Sequence, residues 1–235
     1  MLLKGSDVSQ ILVDYEITTR GISKAAALTN LNKTQVYISD SLVEDQLNVK
    51  IGLTGPEFNK LWTKVDLVIT LPKNLACDVT FSSMNGKLNI SSIFGSKLFV
   101  EIANGGVKLS NVHFEDVDVS ITNGEIEASI SSKKLDFELI NGRLSLEILD
   151  DVSGEYYIDL VNGDVVIECN ADEEKGFEFK VNTIHGTIDI GFEEFEFIKW
   201  EDGKKVEART KGYSLRDVKI KVLADVINGS VEIRP

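Results

Sequence analysis

Paired carboxylates are the groups in this chain whose types and spacing suit acid–base chemistry. Some β-helical enzymes hydrolyse or eliminate polysaccharides with two acids on an outer face, one acting as acid and the other as base or nucleophile. Acids at alternate strand positions are also the expected solvent-facing residues, and we favour that interpretation. The candidates are Asp116 with Asp118, Asp150 with Asp151, and Glu193, Glu194 and Glu196.

Metal and nucleophile chemistry has weaker support. Asp172, Glu173 and Glu174 supply the oxygen atoms that calcium prefers, but no EF-hand or glycine–aspartate nonapeptide pattern surrounds them. The two histidines are His113, expected in a loop between repeats, and His185, expected at a corner, where histidine tolerates positive φ. The sequence has no zinc spacing of Cys and His, no phosphate-binding glycine loop and no serine elbow. We therefore predict a protein that is not an enzyme, with no catalytic, metal-binding or cofactor-binding residues.

The two cysteines, Cys77 and Cys169, are too few and too far apart in sequence for a disulfide framework. Both are predicted on the apolar face of a strand, where a thiol packs as a small hydrophobic group. A reducing compartment fits this interpretation.

Charge and composition limit the partners. The 235 residues include 38 acidic and 25 basic side chains, for a formal net charge of -13. This charge repels nucleic-acid backbones and anionic lipid surfaces, so neither is an expected partner. The first residues contain no signal-peptide core, and no run of about eighteen apolar residues occurs. The expectation is a cytoplasmic protein, or a surface protein if a leader was removed.

The strongest pattern in the chain is a repeat built on the dipeptide Asn-Gly. Its glycines are spaced by 19, 19, 18, 21, 23 and 43 residues, and the last gap suggests two periods with one motif lost. His185 replaces the asparagine once. The glycines are Gly86, Gly105, Gly124, Gly142, Gly163, Gly186 and Gly229.

Around Gly124, Gly142 and Gly163, apolar residues lie three, five and seven positions before the glycine and two, four and six positions after it, and the other repeats follow most of this pattern. A period of two is that of a β-strand with one buried face and one solvent face. Each repeat is therefore predicted as strand, corner, strand, with the Asn-Gly pair supplying positive φ at the corner. The predicted inward residues include Leu98, Val100, Ile102, Val117, Val119, Ile121, Ile126, Ala128, Ile130, Leu135, Phe137, Leu139, Leu144, Leu146, Ile148, Tyr156, Ile158, Leu160, Val165, Ile167 and Cys169.

Two architectures satisfy this pattern. Asn-Gly is typical of a two-residue hairpin turn, which would make the chain an antiparallel β-meander closing into a barrel or sandwich. A single-stranded parallel β-solenoid would instead stack equivalent strands, so that residues one repeat apart are neighbours. We favour the solenoid, because stacking requires a nearly constant period with the same apolar offsets.

Residues 1–64 carry no motif and are predicted as an N-terminal β-rich cap on a solenoid formed by residues 65–235. One short helix is predicted at Ser23–Leu31. The other elements predicted here are strands at Ile11–Thr18, Gln35–Ser39, Gln46–Leu53 and Val65–Leu71.

The C-terminal part interrupts the repeat. Phe192–Arg216 is predicted as a protruding hairpin or an altered repeat, and the chain is predicted to end on a final repeat at Val231 and Ile233. Aromatic residues cluster here; an exposed part of the cluster would be a docking patch, but we expect it to be the wide end of the core. The cluster comprises Phe177, Phe179, Phe192, Phe195, Phe197 and Trp200.

The segment LVITLPKNLACDVTFSSMNGKLNISSI, followed by repeated L-x-V-x-x-x-N-G-x-V-x-L units, resembles the "putative adhesin" domain of unknown function found in bacteria and archaea. The resemblance covers roughly Val65 to Pro235 and rests on a motif that encodes a corner and not a reaction. It implies a stacked β-solenoid, no established catalysis, and a role in adhesion, envelope stress or scaffolding.

Together these observations predict a non-enzymatic structural or interaction protein that assembles with itself or binds another protein. One alternative is a polysaccharide-binding or carbohydrate-active β-helix with an outer acidic groove. Another is an envelope-stress accessory protein recruited to a membrane partner. Small-molecule ligands are not expected.

Overall fold

The computed structural model describes residues 1–19, 23–33, 35–43, 46–54, 63–149, 152–169, 174–191 and 195–234. They belong to two compact units, one formed by Met1–Leu12 with Ile69–Pro235 and the other by Val13–Val68. The predicted boundary between residues 64 and 65, as a statement about domains, stays a prediction. The all-β class is confirmed, with one α-helix and one 3-10 turn in the described part of the chain.

The larger unit contains the repeats. Three of the Asn-Gly steps lie inside one long strand, so the chain passes through them without reversing. Its elements are β1 (Leu2–Ser6), β6 (Val79–Ser91), β7 (Phe94–Ile148), β8 (Gly154–Cys169), β9 (Lys175–His185), β10 (Ile188–Ile190), β11 (Phe195–Glu201), β12 (Lys205–Thr210), a 3-10 turn (Tyr213–Leu215), β13 (Val218–Asn228) and β14 (Val231–Arg234).

The smaller unit and its borders contain β2 (Leu12–Thr19), α1 (Lys24–Lys33), β3 (Gln35–Val43), β4 (Gln46–Thr54) and β5 (Thr63–Pro72). All four predicted strands and the predicted helix are present, within a few residues of their expected ends. Ser23 begins the helix by accepting a hydrogen bond from the Ala26 N–H at 3.2 Å. No helix among the described residues is both long and apolar enough to cross a membrane.

Successive repeats pair in parallel, one repeat apart. Asn85 of β6 lies opposite Asn104 of β7, and Asn141 of β7 lies opposite Asn162 of β8. Asn-Gly hairpin turns would have given antiparallel pairs instead, so the alternative of an antiparallel meander is wrong for the repeats. The pairings among the described strands also leave the sheet open rather than closing it.

The core follows directly from the alternation in the sequence. Every inward residue predicted from the pattern is buried. Stacking places identical offsets above one another, so each apolar side chain packs on its counterparts in the repeats on either side. Burial of each such Val, Leu or Ile contributes about 1.5–3 kcal/mol relative to exposure.

The last repeats do not stack in chain order. β13 lies between β8 and β9 and pairs in parallel with both, so that Val222 faces Tyr156 on one side and Phe179 on the other. β14 similarly lies between β8 and β10. The prediction of a lost motif in the 43-residue gap is therefore wrong. The chain leaves the stack after β10 and returns one layer earlier, so the final motif is an inner repeat.

The intervening segment extends the sheet. β11 and β12 form an antiparallel hairpin, and β12 pairs antiparallel with β9. The sheet is consequently mixed, and the expectation of a wholly parallel stack is wrong at this end. The edge strand β11 carries a bulge between Phe197 and Lys199 together with charged residues, two features that discourage edge-to-edge association.

Candidate interaction surface

The residues first considered for nucleophile chemistry lie apart. His113 is half-buried within β7 and not in a loop, whereas His185 is exposed at the end of β9. Cys169 is buried at the end of β8, as predicted, but Cys77 lies in the segment before β6 and is half-buried. Burial and the neighbouring Asp78 raise the pKa of the Cys77 thiol to about 11, so it is a protonated, weakly reactive group at neutral pH.

The candidate acids are also dispersed. Asp116 and Asp118 lie on β7, and Glu196 on β11 is 3.6 Å from Arg209 Nε. Glu174 precedes β9, and the amides of two residues near β13 donate to its carbonyl oxygen. Within the described ranges no group of three or more His, Cys, Asp or Glu residues is arranged to hold a metal ion. Asp150, Asp151, Asp172, Glu173, Glu193 and Glu194 lie outside the described residues.

The aromatic cluster is mainly core, as expected. Phe177 and Phe179 are fully buried and stacked with ring centroids 6.0 Å apart, and Phe195 packs on Phe179 at 5.6 Å. Phe197 is exposed on β11. Phe192 and the side chain of Trp200 lie outside the described part of the structure.

The corners are held by glycines in contact with one another. Six of the seven repeat glycines have φ between 138° and 154°, a region that side chains disfavour. A Cβ on Gly142 would lie 1.6 Å from the carbonyl oxygen of Gly124. Outside glycine, the described residues with positive φ are Ser92, Asn111 and Asp202. The expectation of positive φ at His185 and at the repeat asparagines is therefore wrong, because the glycine alone makes the corner.

The repeat asparagines form a hydrogen-bonded column along the corner. Each Nδ2 donates to the Oδ1 of the asparagine in the preceding layer, at 2.8–3.3 Å. These amides satisfy one another, so their role is to register the layers. The column comprises Asn85, Asn104, Asn123, Asn141, Asn162 and Asn228.

We define the first leg of a repeat as the residues before its glycine and the second leg as those after it. Eight positions before the glycine, the first legs carry charges that alternate in sign from strand to strand. Lys221 of β13 lies between Glu155 of β8 and Glu178 of β9, and its Nζ is 3.6 Å from a Glu155 oxygen. On the first legs this alternating charge row comprises Asp78, Lys97, Asp116, Lys134, Glu155, Lys221 and Glu178, and Arg209 of β12 and Glu196 of β11 continue it.

Two positions before the glycine, the outward side chains are uncharged in every layer. Met84 is 76% exposed, Ile140 47%, Ile227 42% and Ile184 56%. The register places these residues in one line across the stack, beside the asparagine column. In stacking order this apolar row comprises Met84, Ala103, Thr122, Ile140, Val161, Ile227 and Ile184.

Four and six positions before the glycine, the outward residues form two acidic rows. Across the six layers from β6 to β13 these positions hold acids and neutral residues but no lysine or arginine. Glu138 lies opposite Asp159, and Asp159 opposite Asp225. No ion pair to these acids occurs within the described residues. The acids are Glu101, Asp118, Asp136, Glu138, Asp159 and Asp225.

Mutual repulsion is evident in the acidic rows. Partial burial first, and then the charges of Asp136 and Asp116, raise the pKa of Asp118 above its usual value. Partial burial, Asp225 and Asp136 raise the pKa of Asp159 in the same way. At both sites neighbouring carboxylates add to the effect of burial, and Lys134 offsets part of the rise at Asp118.

A shallow depression of about 210 Å³ lies where β9, β11, β12 and β13 meet the acidic rows. Its lining includes Lys180, Lys199 and Lys205 together with Glu207 and Asp225. The volume is below the roughly 300–1,000 Å³ of most small-molecule sites. The apolar row and the acidic rows are therefore the more extensive surface feature.

Most of the chain matches a known protein family. The sequence profile of the Toastrack DUF4097 family matches residues 3–201. The chain belongs to the Toastrack DUF4097 family. The predicted membership of a family of unknown function is thereby confirmed, while the distribution of that family and the role of Asn-Gly steps in it stay predictions. The matched residues begin before the predicted Val65 and end before β13 and β14.

Other comparisons add little to this Toastrack chain. A search of curated proteins finds no match. A crystal structure of a "putative cell adhesion protein" from Clostridium sporogenes ATCC 15579 is similar over 99% of this chain and 86% of its own, with 13% identity and a TM-score of 0.42.

Sequence reasoning found the corners and the core but missed the three kinds of surface row. Their members are about one repeat apart, so no local window contains two of them. Alignment of the repeats on their glycines would have shown Met, Ala, Thr, Ile, Val, Ile and Ile at the second position before the glycine. The same alignment would have shown Asp, Lys, Asp, Lys and Glu at the eighth position before the first five glycines. The place of Lys221 in that alternation would have remained hidden, because Glu155 and Glu178 become its neighbours only after β13 inserts.

Proposed function

We propose that this Toastrack protein is a non-enzymatic interaction module, a single-stranded β-solenoid that binds another protein or further copies of itself through the outer face of its first legs. The parallel register of one repeat supports the solenoid. The apolar row carries the functional part of the proposal. The row is a line of uncharged side chains, exposed in most layers and half-buried at Ala103 and Val161. On a protein of net charge -13 such a line is the kind of surface that marks a docking site.

The absence of catalysis is part of the proposal and has its own test. A screen of polysaccharides, esters and phosphoesters, with and without calcium, is expected to show no turnover. Turnover that disappears in the Asp116→Asn or Asp118→Asn variant would contradict a purely binding role. The predicted cytoplasmic location is likewise a prediction, which cell fractionation tests.

A photo-crosslinking amino acid at position 140 tests the docking face directly. Ile140 lies at the centre of the apolar row, and Glu147 is an exposed residue on the second leg of the same repeat. In the native host, position 140 is expected to give a discrete protein adduct and position 147 none. Equal adducts from both positions, or none from position 140 together with a monomer at all concentrations in sedimentation, would refute the proposed face.

A further inference from the structure

We propose that the apolar row and the acidic rows together bind a basic amphipathic α-helix of a partner protein, lying across the strands. The inference rests on the proposed function and specifies the chemistry of the partner. Three properties of the described surface lead to it: the spacing of the apolar row, the uncompensated acids beside it, and the contrast with the second legs.

The spacing of the apolar row favours a helix over an extended strand. Neighbouring strands are about 4.8 Å apart, so the row from Met84 to Ile184 extends for about 29 Å. A helix repeats every 5.4 Å and would need about 19 residues for this length, with roughly one apolar contact per layer. An extended strand offers side chains on one face every 6.6–6.8 Å and needs backbone partners that this face does not present.

The acidic rows determine the charge of the helix. They run parallel to the apolar row, and the nearer one is two residues along each strand, or about 6.6 Å away. Lysine and arginine side chains reach that distance from a helix whose apolar stripe lies on the row. Positive charge there would also relieve the repulsion around Asp118 and Asp159, whose pKa values are raised.

The second legs differ, because basic side chains lie among their acids and pair with several of them. Lys87 Nζ lies 2.9 Å from Glu125, and Lys108 pairs with Glu127. On the neighbouring edge of β7, Lys133 Nζ lies 2.6 Å from Glu115. Within the described residues, the first-leg face from β6 to β13 is therefore the one where acids lie in adjacent layers with no lysine or arginine at the same positions.

A second copy of the chain is a poorer occupant of this face. Facing copies can bring apolar rows together, but each brings to the same interface six acids that have no ion-pair partner among the described residues. Like charges brought together cost several kcal/mol at an interface and slow the encounter. A basic partner would instead be attracted to this face and would associate with it faster.

The binding experiment uses the full chain and a defined probe. A peptide of three Lys-Leu-Ala-Lys-Leu-Ala-Lys heptads provides a basic amphipathic helix, and an analogue with glutamate in place of lysine is its matched control. Binding is measured by fluorescence anisotropy, and helix formation by circular dichroism. The basic peptide is expected to bind and become helical, and the acidic analogue is expected to do neither.

Paired variants locate the binding site. Ile140→Ser with Ile227→Ser is expected to weaken binding at least tenfold, since two apolar contacts per helix are lost. Asp136→Asn with Asp159→Asn is expected to weaken it about fivefold, because each exposed ion pair contributes a factor of about two to three. Neither acid has an ion-pair partner among the described residues, so these substitutions are not expected to impair folding.

Matched control variants remove the same types of side chain from other parts of the surface. Leu75→Ser with Leu215→Ser removes two exposed apolar side chains away from the row, and Glu147→Gln with Asp189→Asn removes two acids from second legs. Neither pair is expected to change binding more than twofold.

Each outcome of this comparison is informative. Equal losses from test and control pairs would show non-specific attraction to an acidic protein and overturn the inference. Failure of the basic peptide to bind, combined with a discrete adduct from position 140, would overturn the helix and leave the proposed function standing. A dimer abolished by the Ile140 and Ile227 substitutions would make a second copy the occupant and overturn the basic partner.

Discussion

Substitution of two equivalent corner glycines by alanine separates the cost of stacking from that of backbone conformation. Gly86 and Gly142 have φ of 138° and 151° and lie at the same position of their repeats. A Cβ on Gly86 meets nothing within 4 Å, whereas a Cβ on Gly142 would lie 1.6 Å from the carbonyl oxygen of Gly124. The two variants therefore share the φ penalty and differ in the collision.

The expected magnitudes follow from this geometry. The φ penalty for alanine is about 1–2 kcal/mol and applies to both variants. In Gly142→Ala, the Gly124 carbonyl would have to move by about 1.8 Å to reach an ordinary contact of 3.4 Å, more than a third of the strand spacing of about 4.8 Å. Overpacking costs about 1–3 kcal/mol, and each displaced hydrogen bond about 1 kcal/mol. We expect a loss of about 1–2 kcal/mol for Gly86→Ala and about 4 kcal/mol for Gly142→Ala.

Equilibrium unfolding in urea, followed by circular dichroism, measures both losses. The slope with denaturant must stay constant for the free energies of unfolding to be compared. Gly203→Ala is a further control, because Gly203 has φ of 65° and open space around it, so only the φ penalty applies. Equal destabilisation by Gly86→Ala and Gly142→Ala would refute the stacked corner.

Three further predictions concern the column, the charge row and the acidic rows. Asn141→Ala removes two amide hydrogen bonds of the column, and we expect it to lower the free energy of unfolding in urea by about 1–2 kcal/mol. Asn85→Ala removes one such hydrogen bond, and we expect about half that loss. Lys221→Glu turns two attractions of the alternating charge row into repulsions, and is expected to cost about 1–2 kcal/mol in thermal or urea unfolding, less at 1 M salt. The raised pKa values of Asp118 and Asp159 make the folded state bind their protons more readily than the unfolded chain above pH 3.8. The two carboxylates therefore destabilise the fold near neutral pH, and this effect fades as the pH falls toward 3.8. The double variant Asp118→Asn with Asp159→Asn is expected to have a higher free energy of unfolding than the native chain at pH 7 and no higher one near pH 4.

The controls for these predictions lie on the same elements. Lys219 lies two residues before Lys221 on β13, outside the row. Lys219→Glu makes the same charge change there and is expected to lower the free energy of unfolding by less. Glu147→Gln with Asp189→Asn removes two exposed acids from second legs and so supplies a charge-matched reference for the pH series. A Lys221 variant as stable as its control, or an Asp variant whose gain grows as the pH falls, would contradict the electrostatic account.

Much of the fold could be predicted because it depends on the alternation of apolar and polar residues within each strand. Leu98, Val100 and Ile102 are buried because they alternate with polar residues, and that pattern is visible in any single repeat. The smaller unit was predicted for the same reason: strand propensity and alanine-rich helix signals act over a few residues. The hairpin interpretation of Asn-Gly failed because the dipeptide permits two backbone paths, and only the pairing of whole repeats decides between them.

The sequence by itself determined the repeat, its inward residues and the glycine at each corner, since these depend on side-chain period and on φ. Tertiary structure alone decided the order of the last layers. β13 could have followed β9, but that order would have placed Glu155 beside Glu178, and the insertion puts Lys221 between them. The apolar row and the acidic rows are decided at the same level, because residues about one repeat apart in sequence become a surface only when the layers stack in that order.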